Sequence, residues 1–235
     1  MSVRWRCTGG TLAYDPGMAD LRVLRVPHST NVERVALAAG HKGLAVEWID
    51  VDPDDRRVVR EASGQDLVPV LLGDEDEVVT DSPRILAWIE ARHPEPSLWP
   101  SDPGDAALAD VFCHRFNEVW KGPPNRLASL LGPVDFDEGR LSGSEARAVR
   151  DDTTRLRRWL DRFEERLDGV EHLCGDAFGV CDVTAWPFLR FGVEAPEPGD
   201  DDPFHRVLHE HGGFDAASHP RLTAWVARVG ERPRA

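Results

Sequence analysis

The spacing of apolar positions changes character about two-fifths of the way along the chain. Leu21-Arg22-Val23-Leu24-Arg25-Val26 is a short run of β-favouring residues stopped by Pro27, which predicts a strand. From Asn31 to Lys42 the apolar residues Val32, Val35, Ala36 and Ala39 recur on one helical face, and Gly43 supplies the stop. Ala45 to Val51 alternates and carries Val46, Trp48 and Ile49, a second strand, followed by a short charged helix over Asp54 to Ala62. The strand-helix-strand connection crosses over right-handed, so these two strands run parallel. Leu67 to Leu72 and Glu77 to Thr80 are two further strands, joined by the acidic turn Gly73-Asp74-Glu75-Asp76 as a hairpin. Asp81 to His93 closes the module as a helix, with Ser82 as its cap and Pro83 at the favoured first position.

After His93 the period is lost. His93-Pro94-Glu95-Pro96-Ser97-Leu98-Trp99-Pro100 holds too much proline for a helix or a central strand and reads as a linker. Beyond it the pattern is helical only: Ala106 to Trp120, Ser144 to Leu167 (Leu156, Trp159, Leu160, Phe163 and Leu167 on one face), Asp182 to Phe191 and His219 to Arg228. Two loops, Gly132 to Gly143 and the acidic Val193 to Pro203, interrupt them, and no internal repeat is visible. The expected organisation is a loose extension over 1–17, with Met18 as the starting residue, then an α/β domain over 18–93, a linker over 94–104 and an all-helical domain over 105–235.

Composition narrows the partners. A chain of 235 residues buries enough surface to fold without metals or disulfides. Its formal charge of -14 repels phosphate backbones, which argues against nucleic acid or an anionic membrane. No apolar stretch approaches the ~20 residues that span a bilayer. Residues 1–17 lack the apolar core of a secretory signal. Cys7, Cys113, Cys174 and Cys181 form no Cys-x-x-Cys pair and no zinc spacing with the histidines, so no metal is expected and the cytoplasm is the natural compartment. Cys174 and Cys181 flank a glycine-containing turn and are within reach of a bridge, but free cysteine is more often a small buried hydrophobe, and that is the expectation. Lysine is almost absent, Lys42 and Lys121 against twenty-six arginines, a composition typical of a GC-rich coding genome.

Three short signatures stand where strands meet helices, the places from which an α/β domain presents groups to a ligand. Pro69, inside an apolar strand, removes a ladder donor. Either it opens an edge strand in the trans form, or a cis Val68-Pro69 bond turns the Val68 N–H and C=O outward to pair with a peptide-like ligand as an added strand. Ser82 reads first as a helix cap, and the same helix end offers unpaired N–H groups to a carboxylate. Asp81 either improves the first turn or holds an ammonium, so an α-amino-acid head group would satisfy both residues together. Ser29, after Pro27-His28, either caps the first helix or donates to a thiolate, whose pKa of ~8.5 falls beside a helix N-terminus. No Gly-x-Ser-x-Gly is present, which removes a serine-hydrolase reading.

Taken in order, these segments resemble the soluble glutathione S-transferases over residues 21–235. Ser29-Thr30-Asn31-Val32-Glu33-Arg34-Val35 is similar to the catalytic-serine segment of the serine-type classes, closest to the plant phi-like pattern; Leu67-Val68-Pro69-Val70-Leu71 matches the family's cis-proline segment; Asp81-Ser82 matches its acid-serine pair. Gly179-Val180-Cys181-Asp182-Val183-Thr184-Ala185 resembles the family's capping segment, with Gly179 where Ser or Thr is usual, and Pro220 to Trp225 resembles its last long helix. The resemblance implies a thioredoxin-like α/β N-terminal domain with a mixed four-stranded sheet, followed by an all-α helical bundle. It implies glutathione as co-substrate, Ser29 stabilising the thiolate, Val68 and Pro69 at the cysteinyl backbone, and Asp81 and Ser82 at the γ-glutamyl group. Arg34 would be structural.

Arg56 or Arg57, with Arg57 preferred, is at the right distance along the chain for the glycine carboxylate, unless both are solvated surface charge. Phe116, Asn117 and Trp120 are the electrophile-site candidates, although an aromatic stripe at helical spacing is more often core. The expected function is transfer of a glutathione thiolate to a small electrophile. Glutathione-dependent isomerisation or dehalogenation, and a non-catalytic binding protein on the same fold, are the alternatives. A GC-rich coding genome leaves room for another low-molecular-weight thiol. Family habit implies a two-fold homodimer.

Overall fold

The computed structural model describes residues 5–8, 11–14, 19–73, 77–132 and 141–235. The chain divides into two compact units, 1–96 with 233–235, and 97–232.

The first unit holds a mixed four-stranded sheet of order β4-β3-β5-β6, formed by β3 (Leu21–Arg25), β4 (Val46–Asp50), β5 (Val70–Leu72) and β6 (Val78–Thr80). β3 pairs parallel with β4 and antiparallel with β5, which pairs antiparallel with β6. Helix α1 (Thr30–Lys42) ends as the sequence indicates: Gly43, at φ 66, sends its N–H to Ala39 O and Gly40 O. One core cluster packs Leu21, Val23, Val35, Ala39, Leu71, Ile85 and Ile89, joining the sheet to α1 and to α3 (Ser82–Arg92). A second joins Leu24, Val51 and Val70 to Val59 of α2 (Arg57–Ser63).

Several boundaries differ from expectation for local reasons. β5 starts at Val70, not Leu67, because Pro69 offers no ladder donor and the Val68-Pro69 bond is cis. Helix α2 starts three residues late, since the Asp52 and Asp55 carboxylates accept the Asp54 and Arg57 N–H groups in successive turns. Residues 74–76 of the expected acidic turn, and 133–140 of the expected loop, lie outside the described residues. Where a loose extension was expected, β1 (Trp5–Thr8) and β2 (Thr11–Tyr14) pair antiparallel as a separate two-stranded sheet.

The last three residues also belong to the first unit. Ala235 N–H donates to Ala36 O, Trp48 Nε1 donates to Ala235 O at 2.9 Å, and Arg234 pairs with Glu33 at 2.7 Å. A Cβ on Gly40 would lie 2.1 Å from Pro233 O, so only glycine admits this approach.

The second unit is helical: α4 (Pro103–Arg115), a π-turn over Phe116–Trp120, α5 (Gly122–Leu131), α6 (Gly143–Arg166), α7 (Val180–Val193), α8 (Pro203–His211) and α9 (Pro220–Gly230). Ser142 and Glu145 close a capping box on α6. Two helices were not expected. Gly122-Pro123-Pro124 is the first turn of α5, where proline's missing N–H has no intrahelical partner anyway. Asp202, inside the expected acidic loop, caps α8 by accepting Phe204 N–H at 2.9 Å. Among the described residues no helix is long and apolar enough to cross a membrane.

One expectation is overturned outright. Cys174 and Cys181 are not separate hydrophobes but a disulfide with Cα atoms 6.0 Å apart. Their approach is set by Asp182, whose buried carboxylate gathers Leu173 N–H and Gly179 N–H at 3.0 Å each and so folds the turn back onto the start of α7.

Candidate active site

Pairing register brings three of the sequence signatures to one end of the first unit's sheet. Leu24 is opposite Val70, and Val70 is opposite Thr80. The next residues outward are therefore Arg25 and Val26 leading to Ser29, Pro69 and Val68, and Asp81 and Ser82. Strand register alone converges residues 29, 68 and 82 along this edge.

Ser29 occupies the N-cap of α1 with extended backbone (φ -61, ψ 120), and its carbonyl accepts Glu33 N–H at 3.0 Å. Its hydroxyl makes no cap hydrogen bond, so the simpler of the two sequence readings is not realised. His28 before it turns the chain at φ 63. Val68 is half-buried, and among the described residues no hydrogen bond uses its N–H or C=O.

Ser82 departs from its expected role. The N-cap of α3 is Asp81, at φ 72 and with an exposed carboxylate, and Ser82 is the first helical residue. The Ser82 hydroxyl, 1% exposed, accepts from Arg34 Nη1 at 3.1 Å and donates to Asn31 Oδ1 at 3.3 Å. Arg34, itself 1% exposed, reaches Asn31 Oδ1 at 3.3 Å. A buried guanidinium thus links the first turn of α1 to the first turn of α3. Sequence reasoning marks Arg34 only as structural, and a contact between residues 48 apart leaves no local signal.

Arg57 is set differently. Its exposed guanidinium is held by Asp55 through Nε (2.9 and 3.0 Å) and Nη2 (2.6 Å), which keeps the Asp55 carboxyl at about 2, well below the usual range. Arg56 donates to Pro53 O at 3.0 Å.

Of the three electrophile-site candidates, Phe116 and Trp120 are core residues of the second unit, 3% and 2% exposed. Their rings stack at 4.7 Å and meet Phe188 edge-on. Both also line a cavity of about 730 Å³ whose other walls include Phe112, Trp159, Arg162 and Arg166. Asn117 donates to Cys113 O at 2.9 Å and is not among the lining residues. The i, i+4 series Phe112, Phe116, Trp120 is the sequence signal for this wall, and Phe112 is the member that the candidate set lacks.

The sequence was compared with known proteins. Residues 24–97 match the family model of the glutathione S-transferase N-terminal domain, and residues 138–233 that of the glutathione S-transferase C-terminal domain. A maleylacetoacetate isomerase of Pseudomonas aeruginosa is 30% identical over 190 residues, covering 70% of this chain and 80% of that protein. Glutathione S-transferase 3 of Zea mays is 28% identical over 232 residues, covering 92% and 91%. Among solved structures, a glutathione S-transferase of Methylobacterium radiotolerans in complex with glutathione sulfonate superimposes with a TM-score of 0.66 at 25% identity, covering 91% of each chain. With both domain models matched in order on the mixed sheet and the helical unit, the chain is an enzyme of the glutathione S-transferase family.

Proposed function

We infer that the enzyme binds glutathione, or an equivalent low-molecular-weight thiol, along the first unit's sheet edge and that Ser29 holds its sulfur as a thiolate for attack on a small electrophile. The observation that carries this reading is the unfilled cap: Ser29 stands at the N-terminus of α1 with a hydroxyl free of the capping bond. Donation from that hydroxyl, added to the helix dipole, favours the anion over the thiol. The Val68 N–H and C=O would pair with the cysteinyl backbone beside Pro69. Asp81 would take the ammonium, and Ser82 with the N–H groups of α3 the carboxylate. Arg57 would reach the glycine carboxylate through Nη1, which Asp55 does not use, or by exchanging Asp55 for it.

In conjugation the sulfur forms a bond to the electrophilic carbon and the leaving group departs with its electron pair. Catalysis comes from anion stabilisation and orientation. Phe116, Asn117 and Trp120 are the proposed contacts of the electrophile. The similarity to a protein named maleylacetoacetate isomerase favours a second reaction on the same site. There the thiolate adds to an activated double bond, the single bond rotates, and elimination returns the thiolate; dehalogenation would use the same nucleophile. Cytoplasmic residence, a detoxifying role and a two-fold homodimer complete the reading. Leu67 and Leu108 are 74% and 63% exposed, apolar surface that a second copy would cover.

The test is Ser29→Ala. Losing one preorganised donor to an anion costs ~2.7–4 kcal/mol for oxyanions, and somewhat less for the weaker acceptor sulfur. Turnover should fall far more than glutathione affinity, and the bound thiol's pKa should rise. Full turnover with an unshifted thiol pKa would move the catalytic assignment to His28 or Asn31. Thermal unfolding with glutathione and alternative thiols addresses the ligand: saturation at 100 times Kd adds ~2.7 kcal/mol, a rise of roughly 5–10 °C.

A further inference from the structure

The turn before α7 carries reactive chemistry that the transferase reading leaves unused. The two sulfurs of the Cys174–Cys181 disulfide have unequal surroundings. Cys181 lies in the first turn of α7 and is 0% exposed. Cys174 is only partly buried, and Arg166 directs Nη2 at its Sγ from 3.8 Å. Arg166 Nε also donates to Leu173 O, which fixes the guanidinium beside this sulfur.

Exchange proceeds by thiolate attack on one disulfide sulfur, and its rate depends on access, on which sulfur is attacked and on how well the other leaves as an anion. Access selects Cys174, since Cys181 is sealed inside the helical unit. Arg166 offers positive charge to an incoming anion. The leaving sulfur is then Cys181, where the N-terminus of α7 favours the thiolate. Burial and the neighbouring Asp182 carboxylate oppose that anion, but the carboxylate's own charge is spread over hydrogen bonds from Leu173 N–H, Gly179 N–H and Trp225 Nε1. A bridge with one reachable sulfur beside a guanidinium, and the other at a helix start, directs exchange to Cys174.

We propose that Cys174 is a thiol-modification site at which a low-molecular-weight thiol opens the bridge. The thiolate sulfur forms a bond to Cys174 Sγ, the Sγ–Sγ bond breaks, and its electron pair leaves on Cys181 Sγ, which stays a thiolate or takes a proton from water. Return attack by Cys181 on Cys174 restores the bridge and expels the thiol. Attack by a second thiolate on the adduct's non-protein sulfur instead releases Cys174 as a thiolate beside Arg166, and the two small thiols depart joined as a disulfide. The site is independent of Ser29 and needs only the thiol.

The experiment uses the full chain purified without reductant, treated with millimolar glutathione, quenched with a thiol alkylator and mapped by mass spectrometry. Phe178 lies between the two cysteines, so a chymotryptic cut there separates them. Before treatment, neither Cys174 nor Cys181 should alkylate. After treatment the protein should gain the whole mass of one glutathione on Cys174, with Cys181 alkylated, and longer exposure should leave both alkylated. Oxidised glutathione should modify Cys174 in Cys181→Ser and leave Cys181 unmodified in Cys174→Ser. Cys113→Ser and Ser29→Ala should behave as wild type, the latter even if it loses turnover, which separates this site from the proposed active site. Alkylation of Cys174 and Cys181 in the untreated protein, an adduct on Cys181, or a bridge that survives millimolar glutathione at pH 8 would each overturn the proposal.

Discussion

Replacing Asp182 by alanine tests the hub on which the second unit's α6–α7 connection depends. The carboxylate is 0% exposed and accepts from Leu173 N–H and Gly179 N–H at 3.0 Å and from Trp225 Nε1 at 2.6 Å, with His172 Nδ1 3.5 Å away. Alanine leaves all three donors without their acceptor, and a buried unsatisfied donor costs ~1–3 kcal/mol. Water entering the vacated volume recovers part of this, which places the loss at about 3–5 kcal/mol. At ~2–4 °C per kcal/mol for a chain of this length, the midpoint should fall by roughly 6–20 °C. Asp182→Asn keeps one acceptor oxygen and should lose about half as much. Urea unfolding followed by tryptophan fluorescence and far-UV circular dichroism reads both variants as a lowered midpoint at unchanged slope. A loss under ~1 kcal/mol for alanine, or equal losses for the two variants, would refute the hub argument.

Four other expectations follow from local features of the structure. Lys42, with a fully buried side chain, pairs with Glu90 at 2.7 Å and donates to His93 O and Pro96 O at 2.6 and 2.9 Å. Lys42→Met should cost about 2–4 kcal/mol in urea unfolding, and a neutral result would mean these bonds are replaced by water. The Asp55 carboxyl, followed by carbon NMR, should titrate near 2 and rise in Arg57→Ala, which removes the guanidinium but keeps the residue 57 N–H bond. Saturating glutathione should raise it if Arg57 exchanges Asp55 for the tripeptide, and unchanged glutathione affinity in Arg57→Ala removes Arg57 from the site. Asp81→Gly should stabilise the free protein by ~1 kcal/mol through relief of its positive φ yet weaken glutathione binding; unchanged affinity would reduce Asp81 to a turn residue. Light scattering should give twice the 26.2 kDa chain mass, and a monomer at every micromolar concentration would count against the homodimer.

What the sequence made legible was whatever is set locally. The strand of Leu21–Arg25, the helix of Thr30–Lys42 and its glycine stop are written in period and cap chemistry, and they lie within a residue of expectation. The helix at Gly122–Leu131 was hidden by two prolines that forbid a helix interior but suit a first turn, so one composition serves two opposite structures. At Pro203–His211 the apolar residues Phe204, Val207 and Leu208 are too few to stand out from an acidic flank. The bonds from Arg34 to Ser82 and from Trp48 to Ala235 join residues 48 and 187 apart, and no periodicity encodes them. Three site signatures were readable because each sits at an element boundary. Their convergence required the register of Leu24, Val70 and Thr80, which only pairing reveals.

Both candidate serines share a backbone device that bears on how the site is built. Among the described residues, His28 (φ 63) and Asp81 (φ 72) are the non-glycine residues with positive φ, and each immediately precedes a serine, Ser29 or Ser82. Such a conformation costs on the order of 1–3 kcal/mol for a residue with a Cβ, and glycine would avoid it. Turning the chain this way just before a helix aims the next residue and the helix's unpaired N–H groups along the sheet edge. The turn therefore explains the placement of the serines but not the side chains that carry it. For Asp81 the proposed ammonium contact gives a reason to retain a costly residue, since its exposed carboxylate places negative charge beside the anion-seeking end of α3. The two serines differ in the partners of their hydroxyls. Arg34 and Asn31 occupy that of Ser82 and hold the two helix starts together, whereas the Ser29 hydroxyl is left without a capping bond. The Ser82 hydroxyl is thus committed to the scaffold, which leaves its backbone N–H for the proposed carboxylate, while the uncapped Ser29 hydroxyl is the one the proposed thiolate contact requires.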